Sequence, residues 1–329
     1  MRSAMPARSR RLCSMDRYDR QKLLLGEEKQ KILQGKTAAV VGVGALGTVA
    51  AELLARAGVS LLLIDRDVVE ESNLQRQLLF DEQDVGKSKA IAAKEKLSKI
   101  NSSITIMEKP VQFDNQNIKM LDDVDIVLDC TDNLETRFLV NDHCRKQKIP
   151  WIYGAAIKTS GYVMPIVPEG PCLRCFLKEA NLETCDTVGV LNTVTTIIAA
   201  EQATLALKIL LGENVEPILS YHDVWNDEHK KLMITKKAGC PACNGVFEYL
   251  DKKDTAVLVR FCSAGKFQIR GNKPDLGSIK ERWSKIGKVY GDGQMICFGS
   301  ITLFEDGRAL VRAKTKEEAL SIYSRLVGN

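Results

Sequence analysis

Histidine is scarce in this chain: only His143, His222 and His229 occur in 329 residues. None sits beside a recognisable nucleophile motif, which argues against Ser–His or Cys–His catalysis. Aromatic residues make up only 6% of the chain and the net charge is a mild +5. No basic run is interleaved with aromatics, so composition gives a nucleic-acid surface nothing to rest on. A long uninterrupted apolar run is also missing. The closest approach, residues 188–211, is broken by Glu201, Gln202 and Lys208 and carries Thr193, Thr195 and Thr196. It predicts a buried helix and not a membrane span. Residues 1–15 contain Arg2, Arg8, Arg10 and Arg11 but no acid and no apolar core, which excludes a secretory signal. The expectation there is a disordered extension, or a start placed too early with Met15 as the true beginning; a transit peptide is the other reading. With 27% charged and 45% hydrophobic residues, the rest reads as an ordinary soluble, cytoplasmic globular protein.

What is present begins at residues 37–47, Thr-Ala-Ala-Val-Val-Gly-Val-Gly-Ala-Leu-Gly. An apolar β-like run ends in Gly42-x-Gly44-x-x-Gly47, a helix-forming segment follows over 48–57, and a second apolar run over 60–64 ends in Asp65. Strand, glycine loop, helix, strand and acid is the order a nucleotide site needs. Gly42 allows the tight turn, Gly44 lets backbone N–H groups approach phosphate, and Gly47 lets the helix pack on the strand. Asp65 stands where a carboxylate meets ribose hydroxyls. The same pattern also serves a bare strand–helix turn, and its commonest nucleotide is NAD.

Further along, strands are expected near 36–41, 60–64, 103–107 and 124–128, with helices over 88–100, 116–121 and 134–148. One or two short helices are expected over 16–34. Alternation of this kind predicts an α/β, Rossmann-like doubly wound, mostly parallel sheet. After Pro150 the pattern becomes antiparallel, with strand pairs at 151–156/162–167 and 218–224/231–235. A charged linker at 251–254 leads to a small α+β unit, with strands near 256–261, 294–301 and 309–313 and helices near 279–285 and 316–327. Thr315 and Glu318 form a capping-box signal for the last helix. The expected division is 1–15 as extension, 16–250 as the main domain and 255–329 as an appended domain.

Several polar residues stand where chemistry would be done. The loop Asp65-Arg-Asp67…Asn73-Leu-Gln-Arg76-Gln77 leaves the carboxyl edge of the sheet, where Arg76 can reach phosphate oxygens and Asn73 can bridge phosphate and a metal-bound water; otherwise it is a solvated loop. Lys87 and Lys89 open a helix, an unfavourable place for cations unless an anion is near. Asp132 is either a helix N-cap or a carboxylate holding Mg²⁺ against phosphates. Arg17 and Arg20 matter only if their helix reaches an active site.

Ten cysteines in a cytosolic chain suggest metal ligands or reactive thiols rather than disulfides. Cys172-x-x-Cys175 and Cys240-x-x-Cys243 form a pair of knuckles, predicting a structural tetrahedral Zn²⁺ that clips two distant segments together. Cys185, in a polar loop outside both pairs, is either an inert thiol or an exposed reactive one. Cys262 and Cys297 look like core strand residues.

Arg17-Tyr-Asp-Arg20-Gln21, the glycine loop, Asp65-x-Asp67, Ser72-Asn-Leu-Gln-Arg76-Gln77, Gly86-x-x-Lys89, Asp129-Cys-Thr-Asp132-Asn133 and the two cysteine pairs occur in order. Over about 16–245 the chain thereby resembles the ThiF/MoeB/HesA group of the ubiquitin-activating (E1-like) superfamily. The resemblance implies an ATP-dependent adenylyltransferase that activates the C-terminal glycine carboxylate of a ubiquitin-like sulfur carrier of ThiS or MoaD type, ending in Gly-Gly. It implies nucleotide contacts from Gly44, Asp65, Asn73, Arg76, Lys89 and Asp132, with Gly42 and Gly47 shaping the loop. It implies a homodimer in which Arg20 reaches the partner's site, and a reactive cysteine at Cys185. The expected set is therefore ATP, Mg²⁺ and Zn²⁺ with catalytic Arg20, Arg76, Lys89, Asp132 and Cys185, and with a sulfurtransferase as a further partner. The fused sulfurtransferase domain of some relatives is not recognisable after Thr255. The chemistry agrees independently: a carboxylate attacking the α-phosphorus is already ionised and needs no histidine base, only positioning and neutralising cations. The rival readings are a dehydratase-type relative activating a tRNA-linked carboxylate, an NAD-dependent oxidoreductase, and a non-catalytic zinc-stabilised scaffold.

Overall fold

The computed structural model describes residues 16–178, 188–251, 258–260, 265–291 and 293–328. Its centre is an eight-stranded sheet in the order β3-β2-β1-β4-β5-β6-β7-β8. The strands are β1 (Thr37–Val41), β2 (Ser60–Ile64), β3 (Ile106–Lys109), β4 (Ile126–Asp129), β5 (Trp151–Ile157), β6 (Ser160–Ile166), β7 (Ile218–Asp223) and β8 (Glu228–Met233). β3 through β5 run parallel, and β5 through β8 continue antiparallel, the extension expected after Pro150. The strand order reverses on either side of β1, and a crevice opens at such a point. Val41 lies opposite both Ile64 and Asp129, so the loops beginning at Gly42, Asp65 and Cys130 leave the sheet at one level.

The parallel strands are buried on both faces, which is why they read as continuous apolar runs. α3 (Ala45–Ala57) and α6 (Asn192–Leu210) cover one face, joining Ala50, Leu54, Ile198 and Ala203 to Val40, Leu61 and Leu63. α5 (Leu134–Gln147) covers the other, through Phe138 and Leu139 against Val127 and Trp151. α4 (Lys89–Ile100) flanks the sheet on the α3 side through Ala92, Ala93 and Leu97. α6 is long and apolar enough by composition to cross a membrane, yet it packs in this core as the interrupted sequence predicts. Its Gln202 explains one interruption: Nε2 donates to the carbonyls of Asp129 (2.8 Å) and Ile152 (3.3 Å), tying the helix to the ends of β4 and β5. The N-terminal segment forms α1 (Asp19–Leu25) and α2 (Glu27–Gln34), joined at Gly26. α1 buries no residue, and Leu23 and Leu24 are 78% and 84% exposed.

The C-terminal unit is a six-stranded antiparallel sheet, ordered β11-β12-β13-β14-β10-β9. It comprises β9 (Leu258–Arg260), β10 (Lys266–Arg270), β11 (Tyr290–Gly291), β12 (Met295–Phe298), β13 (Ile301–Phe304) and β14 (Arg308–Arg312). α7 (Leu276–Ser284) and α8 (Lys316–Leu326) pack on one face around Trp283, Phe267 and Ile301. The single strand expected over 294–301 is two, because Gly299 turns the chain at φ 56°. β10 escaped the sequence reading. Thr315 caps α8 by accepting from Glu318 N (3.2 Å), but the Glu318 carboxylate reaches back to Lys314 N (2.7 Å) and not to the cap residue, so the expected box is half formed.

Candidate active site

A cavity of about 670 Å³ opens where β1, β2 and β4 end. Its floor is the glycine loop. Gly42 has φ 89°, and a Cβ there would meet the Cys130 carbonyl oxygen at 2.8 Å. At Gly47 a Cβ would lie 1.9 Å from the Gly42 oxygen, so this glycine allows α3 to lean on its own loop and does not line the cavity. Gly44 differs from both: a Cβ would meet only Gln77 Nε2, at 3.9 Å. It faces open cavity, with Ala45 and Leu46 of the first turn of α3 beside it. The unpaired N–H groups and dipole of a helix start make this wall a place for an anion.

Asp65 closes one side. Its Oδ2 accepts from Val43 N (2.6 Å) and its Oδ1 from Asp67 N (2.7 Å), fixing the carboxylate between the glycine loop and the following turn. Burial, reinforced by neighbouring Asp67 and opposed by Lys89, raises its pKa. Lys89, at the start of α4, is buried with Nζ 3.6 Å from Asp67 Oδ2. Burial works against its charge, but Asp67, Asp65, Asp132 and Glu70 together outweigh it and raise its pKa, so it enters the cavity as a cation. The helix-start argument left Lys87 and Lys89 equivalent, and only the family resemblance favoured Lys89. The structure separates them: Lys87 turns away to Asp84, 3.3 Å, and does not line the cavity.

Arg76 and Asn73 come from the loop after β2 and line the same cavity. The Asn73 Oδ1 accepts from Glu70 N (3.1 Å), and Arg76 Nη1 donates to the Ser72 carbonyl (2.9 Å). Asp132 also lines it. The N-cap of α5 is Asn133, whose side chain accepts from Thr136 N at 2.8 Å. The capping alternative for Asp132 is thereby removed, and its exposed carboxylate is left at the cavity wall.

One expected catalytic residue, Arg20, is not brought here, and another falls outside the described residues. Arg20 is exposed on α1 and lines no part of the cavity in its own chain. Cys185 lies outside the described residues, as does Cys262. Cys297 is half-buried on β12. Sequence reasoning in turn missed Arg137 and Tyr153. Arg137 is buried in α5, with Nε 3.2 Å from Asp129 Oδ2, Nη2 donating to the carbonyls of Thr131 (2.5 Å) and Gly154 (3.2 Å), and the guanidinium 5.2 Å from the Tyr153 ring. Both residues line the cavity. The available signal was a lone arginine one turn into a helix that starts beside Asp132.

The second centre is the cysteine cluster. The Sγ atoms of Cys172, Cys175, Cys240 and Cys243 all lie within 4.8 Å of one another. The closest pairs, Cys172–Cys240 and Cys175–Cys243, are 3.5 Å apart and Cys172–Cys175 is 4.0 Å. A tetrahedron with Zn–S bonds of about 2.3 Å has edges of about 3.8 Å, so the donor set and spacing fit Zn²⁺. The knuckles follow β6 and β8, as the expected clip between distant segments requires. Leu173 N donates to Asn141 Oδ1 of α5 (2.8 Å), and Arg174 pairs with Glu248 at 2.5 Å.

The ThiF family pattern matches residues 18–242. The chain belongs to that family. It is 37% identical to the sulfur carrier protein ThiS adenylyltransferase of Bacillus subtilis over 95% of this chain and 99% of the relative. It is 36% identical to the molybdopterin-synthase adenylyltransferase of Salmonella typhimurium over 70% of this chain and 96% of that relative. Among solved structures, Escherichia coli MccB with ATP shares the fold at TM-score 0.63 and 23% identity, over 71% of this chain and 75% of that one. The matched region holds the cavity and three of the four clustered cysteines, ending one residue short of Cys243; the C-terminal sheet lies beyond it.

Proposed function

We propose that this chain adenylates the C-terminal glycine carboxylate of a ubiquitin-like sulfur carrier. The observation that carries the reading is one cavity in which Arg76, Lys89 and Arg137 stand around the start of α3 with Asp65 and Asp132. A dinucleotide redox cofactor needs no such set of cations; a triphosphate approached by a second anion does. An adenylyltransferase of the sulfur carrier ThiS, at 37% identity, and one of molybdopterin synthase, at 36%, support the same reading.

In the reaction the ionised carboxylate attacks the α-phosphorus of ATP. The new bond is carboxyl oxygen to phosphorus, the bond to the β-phosphate bridging oxygen breaks, and pyrophosphate leaves with its electron pair. No proton is transferred, and among the described residues no histidine lines the cavity. Asp65 holds the ribose, the first turn of α3 and Arg76 hold phosphates, and Lys89 offsets the charge that builds as two anions meet. Asp132 would hold Mg²⁺, which would supply further positive charge to the phosphates. The acyl-adenylate is then open to displacement of AMP by a sulfur donor, or by Cys185, and a sulfurtransferase is the natural source of that sulfur.

The same reading assigns 16–250 to the adenylation domain and 255–329 to an appended domain, with a cytoplasmic location. It includes a homodimer, supported by the uncovered Leu23 and Leu24 beside Arg20 on α1; such a pairing would bring Arg20 to the partner's cavity. The cysteine cluster holds Zn²⁺ as a structural clip. The direct test is exchange of labelled pyrophosphate into ATP. Exchange should require a carrier ending in Gly-Gly and vanish when the last glycine is deleted; exchange stimulated by tRNA and indifferent to the carrier would overturn the substrate assignment.

A further inference from the structure

The C-terminal sheet is fastened to the wall of the cavity by a buried arginine. Arg308, at the start of β14, is only 3% exposed. Its guanidinium lies 4.2 Å from the Phe304 ring centre and its Nε is 2.7 Å from Asp306 Oδ2. The remaining nitrogens reach across to the other sheet: Nη2 donates to the Pro110 carbonyl (2.9 Å) and Nη1 to the Arg66 carbonyl (3.3 Å). Those carbonyls belong to the two segments that leave β2 and β3. Arg66, Asp67, Val68, Val111, Gln112 and Phe113 of these segments line the cavity, and the Arg66 side chain bonds Gln112. Val68 packs against Met295, Phe304 and Leu310 on the open face of the second sheet. Arg312 pairs with Glu70 at 2.9 Å and Arg270 with Asp114, on either side of the same contact.

A guanidinium is kept out of water only where its donors are answered. Here they are answered by backbone carbonyls of two loops that share no hydrogen-bonded ladder beyond Lys109. The planar fork spans both carbonyls at once, which a lysine's single ammonium does with less geometric control.

We propose that Arg308 is a positioning residue for the nucleotide: by holding the Arg66 and Pro110 carbonyls it fixes the loops that carry Asp65 and Asp67 on one side and Val111–Phe113 on the other. This rests on the reading of the cavity as an ATP site. The appended sheet is then a brace on the nucleotide wall, and its removal loosens recognition of the sugar without touching the phosphate-binding start of α3.

The test uses the full-length protein with ATP and 2′,3′-dideoxy-ATP as probes, binding measured by calorimetry without any carrier. Arg308→Met should weaken ATP about tenfold, a usual size for coupling through intervening structure, and weaken the dideoxy analogue less, so that discrimination between the two shrinks. Arg308→Lys should fall between. In pyrophosphate exchange the KM for ATP should rise with kcat nearly unchanged. Arg282→Met is the control, because Arg282 bonds the Leu326 carbonyl inside the second unit; it should leave the ratio intact. A merely structural role lowers the fraction of active protein but not the affinity ratio. Should Arg308→Met not fold, Arg308→Lys and Arg312→Met carry the same ratio. An unchanged ratio in folded variants overturns the inference and leaves the ATP reading standing. Failure of the wild-type protein to bind ATP overturns both.

Discussion

The glycine-loop cavity and the cysteine cluster treat their polar atoms in opposite ways. In the cluster, four sulfurs converge within 4.8 Å and the backbone around them is answered locally, as by Asn141 on Leu173 N. Such a donor set suits a single point charge. In the cavity, side chains of both signs are held apart around about 670 Å³, each anchored by its own neighbour: Asp65 by backbone N–H groups, Lys89 by Asp67. Such a wall suits an extended, multiply charged molecule. The contrast separates a staple from a receptor. The two are nevertheless neighbours, because Phe176, just past one knuckle, meets Tyr153 of the cavity wall edge-on at 5.9 Å.

The largest expected effect breaks the staple. A strong chelator, or Cys240→Ser, should remove about one Zn²⁺ per chain and lower the melting temperature by roughly 10 °C or more, since metal binding of this kind is folding free energy. Metal analysis alongside calorimetry checks it; a chelated protein with unchanged melting would show the cluster to be dispensable. Next comes the receptor. Asp132→Ala should reduce pyrophosphate exchange by about 10²–10³-fold, the size seen when a charge-stabilising group is lost, while the melting curve and zinc content stay unchanged.

Two glycine variants sharpen the comparison further. In Gly47→Ala the new methyl group meets the Gly42 oxygen at 1.9 Å, so α3 must shift; unfolding by urea should report a loss of about 1–3 kcal/mol. Gly44→Val adds its bulk to open cavity. It should change stability by less than about 1 kcal/mol and yet abolish ATP binding in a titration with a fluorescent nucleotide. Retained binding in Gly44→Val would place the triphosphate elsewhere in the cavity.

Much of this was legible before the fold was known, and the boundary is physical. The parallel strands could be read because burial on both faces leaves uninterrupted apolar runs, and the knuckles because a metal demands local spacing. Asp65, Asn73, Arg76, Lys89 and Asp132 come together because the loops that carry them leave one edge of the sheet, a consequence of topology that alternating strands and helices announce. Arg137 was hidden because its partners, Asp129 at the end of β4, Thr131 in the loop after it and Gly154 on β5, belong to two strands whose adjacency no local pattern encodes. Arg308 was hidden for the same reason, more strongly: its carbonyl partners are separated from it by 198 and 242 residues. The capping alternative considered for Asp132 missed by one residue: the cap of α5 is Asn133, a position set by backbone geometry that residue type alone does not fix.

The most direct measurement is the intact mass of a carrier ending in Gly-Gly after incubation with this chain and ATP–Mg²⁺, with pyrophosphatase present to draw the reaction forward. The expected result is a carrier heavier by one adenylate, absent with Asp132→Ala and absent when the terminal glycine is removed. An unmodified carrier beside active, zinc-loaded, ATP-binding protein would contradict the assignment of the cavity to carboxylate adenylation.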